Sequence, residues 1–193
     1  MGQVKIRNEK ILSDEHYVLK QVEFDIQKSD GEWQNLKREV YDHGNAVAVL
    51  LYNTEIRTVI LVKQFRLPTY INGNPTGMLT EVPAGLLDKN EGPDTAIIRE
   101  VKEQTGYEID KVEKVFEAYS SAGSLTELIH YYVASYKAEQ KKSEGGGLAD
   151  EGEMVTVMEV SFEDVAAMVK KGEIKDAKTL LLVQHALLKN FLQ

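Results

Sequence analysis

Two continuous apolar runs dominate the middle of the chain. They cover residues 46–52 and 58–65, and only the short segment 53–57 separates them. Uninterrupted apolar runs of this length are typical of strands that are buried on both faces, and the short separation predicts a tight turn. A shorter run at 79–83 predicts a third strand. These segments predict the centre of a buried sheet.

Partial alternation of apolar and polar residues marks the N-terminal segment. It covers residues 17–26, and residues 36–41 then predict the returning strand of a hairpin. The sequence Ser-Asp-Gly-Glu at 29–32 supplies turn chemistry between them. Two strands alone cannot bury enough surface to be stable in water. We therefore predict that residues 1–43 form an antiparallel β extension, which packs on a main domain at 44–193 or on a partner chain.

Helix signals follow the central strands. Pro93 and Asp94 suit a first helical turn and Gly106 suits a helix end, so we predict a helix over residues 93–105. The remaining predictions are strands at 112–118, 126–136 and 155–160, a mobile Gly-rich loop at 137–152, a helix at 162–171 capped by Ser161, and a last helix from Ala177. This order predicts an α/β (α+β) fold, with a mixed sheet and helices on its faces.

Composition narrows the function classes. The 193 residues carry a net charge of −8 and include no cysteine, which excludes disulfides, thiolate metal sites and a cysteine nucleophile. There is no apolar run long enough for a membrane span and no signal-peptide pattern, so we expect a cytoplasmic protein. No basic cluster suggests nucleic-acid binding. An acidic protein that binds a phosphorylated substrate needs metal ions or well-placed Arg and Lys residues.

One motif carries the candidate chemistry. In chain order it contains Gly85, Glu91, Arg99, Glu100, Glu103, Gln104 and Gly106. Residues three and four apart lie on one face of a helix, so the side chains at 100, 103 and 104 stand together. Hard cations such as Mg²⁺ take oxygen ligands from several directions, and a backbone carbonyl near Ala84 would add one. A solvated acidic helix face is the alternative, but the fixed spacing from Gly85 to Gly106 favours a metal site.

Apart from Gln104, this spacing resembles the signature of the Nudix hydrolases, which cleave nucleoside diphosphates linked to another moiety. Segments outside the motif resemble the subgroup acting on ADP-ribose and GDP-mannose, and they lie at residues 37–41, 63–66, 84–86, 126–130 and 150–153. Within this subgroup the chain is most similar to the bacterial GDP-mannose pyrophosphatases, over nearly its full length. The resemblance implies a Nudix α/β/α sandwich, a homodimer, and hydrolysis of GDP-mannose to GMP and mannose 1-phosphate.

The resemblance also implies the metal chemistry. It calls for Mg²⁺ or Mn²⁺, with two or more ions per site. The implied metal ligands are the Ala84 carbonyl, Glu100, Gln104 and Glu151, and the implied catalytic residues are Glu100, Glu103, Glu151 and Glu153. Either Glu151 or Glu153 would be the general base, on a loop that closes over the substrate. Residues 150–153 also suit an ordinary soluble loop.

The substrate residues implied by the resemblance are Tyr17, Arg38, Glu39, Arg66, Gly85, Leu86, Glu127, Asp150 and Lys178. Arg38 and Arg66 are the best candidates to bind phosphate oxygens, because a guanidinium offers a fork of donors. Either residue also suits an ordinary surface charge. Tyr17 would stack on the base, and the N-terminal strands would bring it to the partner subunit's site.

Two positions depart from the family's pattern. Gln104 stands where a metal-binding carboxylate is expected, which fits either an engineered Glu→Gln exchange that traps substrate or a natural variant with weakened metal use. Ala122 stands where ADP-ribose hydrolases carry a proline, a departure that concerns specificity for the base and sugar and leaves the chemistry unaffected. ADP-ribose is the alternative substrate. A weakly active or inactive nucleotide-sugar-binding protein is the alternative function.

Overall fold

A computed structural model describes residues 2–148 and 152–191. The chain divides into two compact units, Met1–Asn45 with Tyr119–Leu128, and Ala46–Ala118 with Ile129–Gln193. The strands are β1 (Val4–Asp14), β2 (Val18–Gln27), β3 (Trp33–Asp42), β4 (Ala46–Asn53), β5 (Thr58–Phe65), β6 (Met78–Glu81), β7 (Ala84–Leu86), β8 (Glu113–Tyr119), β9 (Leu128–Ser135) and β10 (Thr156–Ser161). The helices are α1 (Leu67–Ile71), α2 (Pro93–Thr105), α3 (Phe162–Lys170) and α4 (Ala177–Leu188), with a short 3-10 turn at Ala138–Gln140.

The first unit contains an antiparallel sheet in the order β1-β2-β3. The pairing of β2 with β3 confirms the predicted hairpin, and Gly31 has a φ of 87° in its turn, where a glycine is favoured. Strand β1 was not predicted, because nearly all of its residues are exposed and it lacks a buried apolar face. Asp25 is a buried charge in this sheet, and it accepts hydrogen bonds from Arg7 and Asn35.

The second unit is built on a mixed sheet in the order β10-β5-β4-β9-β8, with β6 paired to β5 and β7 paired to β4. Strands β4 and β9 run parallel, whereas β5 is antiparallel to both β4 and β10. The predicted mixed sheet is therefore confirmed. The two central apolar runs form β4 and β5, joined by the turn at 54–57.

Helices cover both faces of this sheet. Successive side chains of a strand point to opposite faces of the sheet, so β4 contributes residues to the apolar core on each face. Val47, Val49 and Leu51 pack with Ile97 and Val101 of α2. The intervening residues of β4 pack with α3 and α4 in a second apolar cluster. The predicted α/β/α sandwich is confirmed.

The helix boundaries follow from local chemistry. Helix α2 has Pro93 in its first turn and ends at Gly106, whose φ of 75° suits glycine, as predicted. The Ser161 hydroxyl caps α3 by accepting from the Asp164 N–H at 3.0 Å, also as predicted. Helix α1, of five residues, was not predicted. None of the helices in the described ranges is long and apolar enough to cross a membrane.

Candidate functional site

Arg99 donates hydrogen bonds to three carboxylates of the motif. Its Nη1 donates to Glu100 Oε1 at 2.8 Å and to Glu103 Oε2 at 3.0 Å, while Nε and Nη2 donate to the two oxygens of Glu91 at 3.2 and 3.0 Å. The hydrogen bonds to Glu91 raise the pKa of Arg99 and lower the pKa of Glu91. We call Glu91, Arg99, Glu100 and Glu103 the carboxylate cluster. It contains three carboxylates and one guanidinium.

Glu100 is the buried member of this cluster. Burial raises its pKa to about 7, against the opposing effect of Arg99, and the charges of Glu103 and Glu153 raise it further. Its carboxylate lies directly over Gly85, where a Cβ would overlap it. A larger residue at position 85 would therefore displace the Glu100 carboxylate from its observed position.

Gln104 is fully buried one turn further along α2. Its Nε2 donates to the Ala84 carbonyl at 2.8 Å and to Glu100 Oε2 at 3.2 Å. Its Oε1 accepts from the Ala84 N–H at 3.2 Å. The Ala84 carbonyl and Gln104, which the sequence suggested as separate metal ligands, are therefore bonded to each other.

The donor set fits a hard divalent cation in part. Mg²⁺ is commonly held by one or two carboxylates together with water and substrate phosphates. Glu100 and Glu103 fit that role, whereas the Ala84 carbonyl and Gln104 satisfy each other in the observed arrangement. Within residues 2–148 and 152–191, no three His, Cys, Asp or Glu side chains form a group that could hold a metal.

The Gly-rich loop docks on the C-terminal end of α2. The Gly146 N–H donates to the Gln104 carbonyl at 3.0 Å, and the Gly147 N–H donates to the Glu103 carbonyl at 3.2 Å. A side chain at Gly145 would overlap the carbonyl of Gln104, and its φ of 69° also favours glycine. Within the predicted loop at 137–152, the described residues form loop structure apart from the 3-10 turn at Ala138–Gln140, and the sequence did not indicate this contact with α2.

Glu153 directly follows that loop, and of the two candidate general bases it is the one that the structure describes. Its N–H donates to the Leu148 carbonyl at 3.2 Å, and its Oε2 accepts from the Leu148 N–H at 3.3 Å. Its charge acts on both Glu100 and Arg66, raising the pKa of each. The predicted roles of Asp150 and Glu151 fall on residues that lie outside the described ranges.

A second charged group surrounds Arg66 and Lys178, and we call it the paired cluster: Arg66, Glu81, Asp176 and Lys178. Arg66 donates through Nε and Nη2 to the two oxygens of Glu81, at 2.7 and 2.8 Å. Lys178 donates to Asp176 at 2.6 Å, and its Nζ lies 3.5 Å from Glu81 Oε2. The cluster contains two cations and two carboxylates.

Burial differs sharply within the paired cluster. The Glu81 side chain is 1% exposed, whereas that of Arg66 is 39% exposed. The hydrogen bonds that Arg66 donates to Glu81 raise the pKa of Arg66. Burial alone would lower the pKa of Lys178, but Glu81 and Asp176 raise it, so both cations stay charged. The sequence reasoning missed Glu81 and Asp176, although a glutamate inside an apolar strand signals a paired buried charge.

The other predicted substrate residues fall into both units. Gly85 and Leu86 lie on β7 of the second unit, and the Leu86 carbonyl accepts from Arg99 at 3.3 Å. Glu127 belongs to the first unit, where its carbonyl accepts from the Ser120 N–H.

Tyr17, Arg38 and Glu39 also belong to the first unit. The Tyr17 ring lies 5.8 Å from that of Tyr41 and 4.9 Å from that of His43, in an aromatic group. Arg38 and Glu39 are exposed on β3, and Arg38 Nη1 donates to the neighbouring carbonyl of Lys37 at 2.7 Å. These predicted roles stay predictions.

Comparison with known families gives two matches that together span most of the chain. A family model described as GDP-mannose pyrophosphatase NudK N-terminal domain matches residues 3–41. A second, described as NUDIX domain, matches residues 42–183.

Curated relatives align along nearly the whole chain. A GDP-mannose pyrophosphatase of Cronobacter sakazakii is 47% identical over 98% of this chain and 97% of its own length. A GDP-mannose pyrophosphatase of Escherichia coli strain K12 is 46% identical over 95% of this chain and 94% of its own. A solved ADP compounds hydrolase has the same fold, with a TM-score of 0.70 and 18% identity over 99% of this chain and 97% of its own.

Proposed function

The chain belongs to the NUDIX family, and from that premise we propose that it hydrolyses the pyrophosphate bond of a nucleoside diphosphate sugar. The proposed substrate is GDP-mannose, and the products are GMP and mannose 1-phosphate. The carboxylate cluster carries the proposal, because Arg99 holds Glu91, Glu100 and Glu103 together at the family's motif. The relatives named GDP-mannose pyrophosphatase support the choice of sugar and base.

The excess negative charge of the carboxylate cluster is the physical basis of this activity. Glu100 and Glu103 would hold a divalent cation such as Mg²⁺ or Mn²⁺. When bound, the cation neutralises phosphate oxygens and lowers the pKa of the attacking water. Arg99 keeps the carboxylates oriented by donating to one oxygen of each. The number of ions, two or more in the family, belongs to this proposal.

The paired cluster would bind the substrate's phosphates. Arg66 is fixed by two hydrogen bonds to Glu81 and is still 39% exposed, so its remaining donors are available to an anion. Lys178 adds a second positive charge beside it. In hydrolysis, a water molecule attacks one phosphorus atom of the pyrophosphate, and the bond between that phosphorus and the bridging oxygen breaks. A proton of the attacking water passes to a loop glutamate, Glu151 or Glu153.

We also propose a homodimer in which the first unit takes part. Val4, Ile6 and Ile11 of β1 are 56%, 56% and 58% exposed, an apolar surface that a partner chain would cover. In such a dimer Tyr17, with the other first-unit candidates Arg38, Glu39 and Glu127, would contact substrate in the partner subunit's site. Light scattering should give twice the chain mass of 21.7 kDa, and a mass of one chain at micromolar concentration would contradict the dimer.

Gln104 favours a second candidate function, a nucleotide-sugar-binding protein with weak activity. The residue contributes no negative charge where the family's pattern has a carboxylate. A site with fewer carboxylates holds divalent cations less tightly. Such a protein would bind the nucleotide sugar and release product slowly or not at all.

A chromatographic assay distinguishes these functions. The chain, its Gln104→Glu form and its Glu100→Gln form are each incubated with GDP-mannose, ADP-ribose and other nucleotide sugars in the presence of Mg²⁺. We expect GMP and mannose 1-phosphate from the first two proteins and far less from Glu100→Gln. Faster cleavage of ADP-ribose would overturn the choice of substrate. Binding without cleavage by both of the first two proteins would favour the binding protein.

A further inference from the structure

Two acceptor oxygens and one side-chain amide meet at the buried end of the motif. The oxygens are the Ala84 carbonyl oxygen and Glu100 Oε2, and the amide NH₂ of Gln104 lies against both of them. Gln104 is fully buried and Glu100 nearly so, which leaves little water to solvate the carbonyl and the carboxylate. Buried acceptors of this kind need a donor or a cation nearby.

The amide of Gln104 satisfies both acceptors. Each of its two N–H groups is used, one toward the Ala84 carbonyl and one toward Glu100, while its oxygen accepts from the Ala84 N–H. Turning the amide by half a rotation would place oxygen against the Ala84 carbonyl and NH₂ against the Ala84 N–H. Both contacts would then be repulsive, so the surroundings favour a single orientation of the side chain.

We propose that the side-chain amide of Gln104 takes the place of a cation in this chain. It holds the Ala84 carbonyl and the Glu100 carboxylate together without metal. A divalent ion held by Glu100 and Glu103 then lacks the Ala84 carbonyl as a ligand, and the chain binds fewer ions than its Gln104→Glu form. This inference goes beyond the proposed hydrolysis and does not depend on it, because its tests measure stability, binding and side-chain contacts.

A carboxylate at position 104 reverses the polarity of the same contact. The Gln104→Glu exchange replaces two N–H donors with an oxygen that faces the Ala84 carbonyl and Glu100 Oε2. Three acceptors then meet in a buried place, with one more negative charge. Such an arrangement calls for a cation, which is how oxygen ligands from several directions create a site for Mg²⁺.

Thermal unfolding tests the proposal with the metal alone. The chain and its Gln104→Glu form are unfolded in excess EDTA and in excess MgCl₂. We expect Gln104→Glu to have the lower Tm in EDTA and the larger rise in Tm on adding Mg²⁺. Gln184→Glu is the matched control, because Gln184 is exposed on α4 and gains the same charge without those contacts. Equal Mg²⁺-dependent rises in all three proteins would overturn the proposal.

Calorimetric titration with MgCl₂ measures the ions directly. We expect Gln104→Glu to bind at least one more ion, or to bind Mg²⁺ about tenfold or more tightly than the present chain. The same stoichiometry and affinity in both proteins would contradict the inference.

Nuclear magnetic resonance keeps the test independent of how well the variant folds. The side-chain NH₂ signals of Gln104, assigned through their nuclear Overhauser contacts within the present chain, should be slow to exchange with solvent in EDTA. They should also remain slow to exchange with solvent when Mg²⁺ is added to the present chain. Rapid exchange in EDTA, or rapid exchange after adding Mg²⁺, would show that the amide does not hold the contact.

Discussion

The two charged clusters of the second unit use the same residue types in opposite proportions. The carboxylate cluster places one guanidinium among three carboxylates, whereas the paired cluster matches two cations with two carboxylates. The first therefore keeps an excess of negative charge, which suits a divalent cation. The paired cluster has equal numbers of positive and negative charges, so its own carboxylates hold its two cations in place.

The difference in balance also shows in the ionisation of the buried members. In the carboxylate cluster, burial raises the pKa of Glu100 to about 7 even with Arg99 beside it. In the paired cluster, Arg66 and Lys178 both have raised pKa values and keep their charges. In the carboxylate cluster the environment favours protonation of Glu100, which removes a negative charge. In the paired cluster it favours the protonated, positively charged forms of Arg66 and Lys178. This contrast supports the proposed anion binding at the paired cluster and the proposed cation binding at the carboxylate cluster.

The largest expected effect comes from unbalancing the paired cluster. Glu81→Gln leaves Arg66 and Lys178 with only Asp176 as a counter-charge, so we expect a loss of about 3 kcal/mol in the free energy of unfolding. Urea unfolding at neutral pH measures it. Glu55→Gln, an exposed residue of the β4–β5 turn, is the matched control and should change little. A loss no larger than the control's would mean that the buried pairing contributes little stability.

Removing a carboxylate from the unbalanced cluster should affect activity more than stability. Glu100→Gln takes away a proposed cation ligand, and mutations of mere supporting partners at metal sites already cost 10- to 100-fold. We expect kcat/KM for GDP-mannose to fall at least about 100-fold. The exposed Glu144 provides the control exchange Glu144→Gln, which should leave kcat/KM unchanged. Retention of most activity in Glu100→Gln would remove Glu100 from the proposed mechanism.

Titration of Glu100 should make the free energy of unfolding depend on pH. Its pKa is raised in the folded chain to about 7, so the folded state binds more protons than the unfolded state between the two pKa values. Stability should therefore fall as pH rises from about 4.5 to 7, by about 2 kcal/mol in metal-free solution. Unfolding curves in EDTA at successive pH values should show this fall, and Glu100→Gln should lack it. Parallel pH profiles for the two proteins would contradict the assignment.

The smallest expected effect on activity comes from the more buried cation of the paired cluster. Lys178→Met leaves the two hydrogen bonds between Arg66 and Glu81 intact but removes the cation that contacts the buried Asp176, so stability should fall as well. Loss of one charged contact to phosphate should raise KM about tenfold, with a smaller change in kcat. Steady-state kinetics with GDP-mannose measures both constants. A fall in kcat with KM unchanged would place Lys178 in the chemical step instead.

Much of the fold could be predicted because buried strands and helix ends have recognisable sequence patterns. The apolar runs of β4 and β5, and the Pro93 and Gly106 that bound α2, are local signals of local structure. Strand β1 has no such sequence pattern, since most of its side chains are exposed and its pairing with β2 is made by the backbone. Helix α1 is too short for a periodic pattern.

The candidate site was predictable only along the helix. The spacing of the motif indicated that Glu100, Glu103 and Gln104 share a face of α2, but it could not show which way an amide points. The bonds of Gln104 to Ala84 join residues that are 20 positions apart, and their geometry depends on how β7 packs against α2. Glu81 and Asp176 likewise became visible as partners only once the fold had brought β6 and the start of α4 together.

The contact between Gln104 and Ala84 has a consequence at the level of the gene. A glutamine codon becomes a glutamate codon when its first base changes from C to G. If the amide replaces a cation, a single point mutation converts an internally satisfied helix end into one that requires an ion. Dependence on dissolved metal could then be gained or lost in one genetic step, with the rest of the sandwich unchanged.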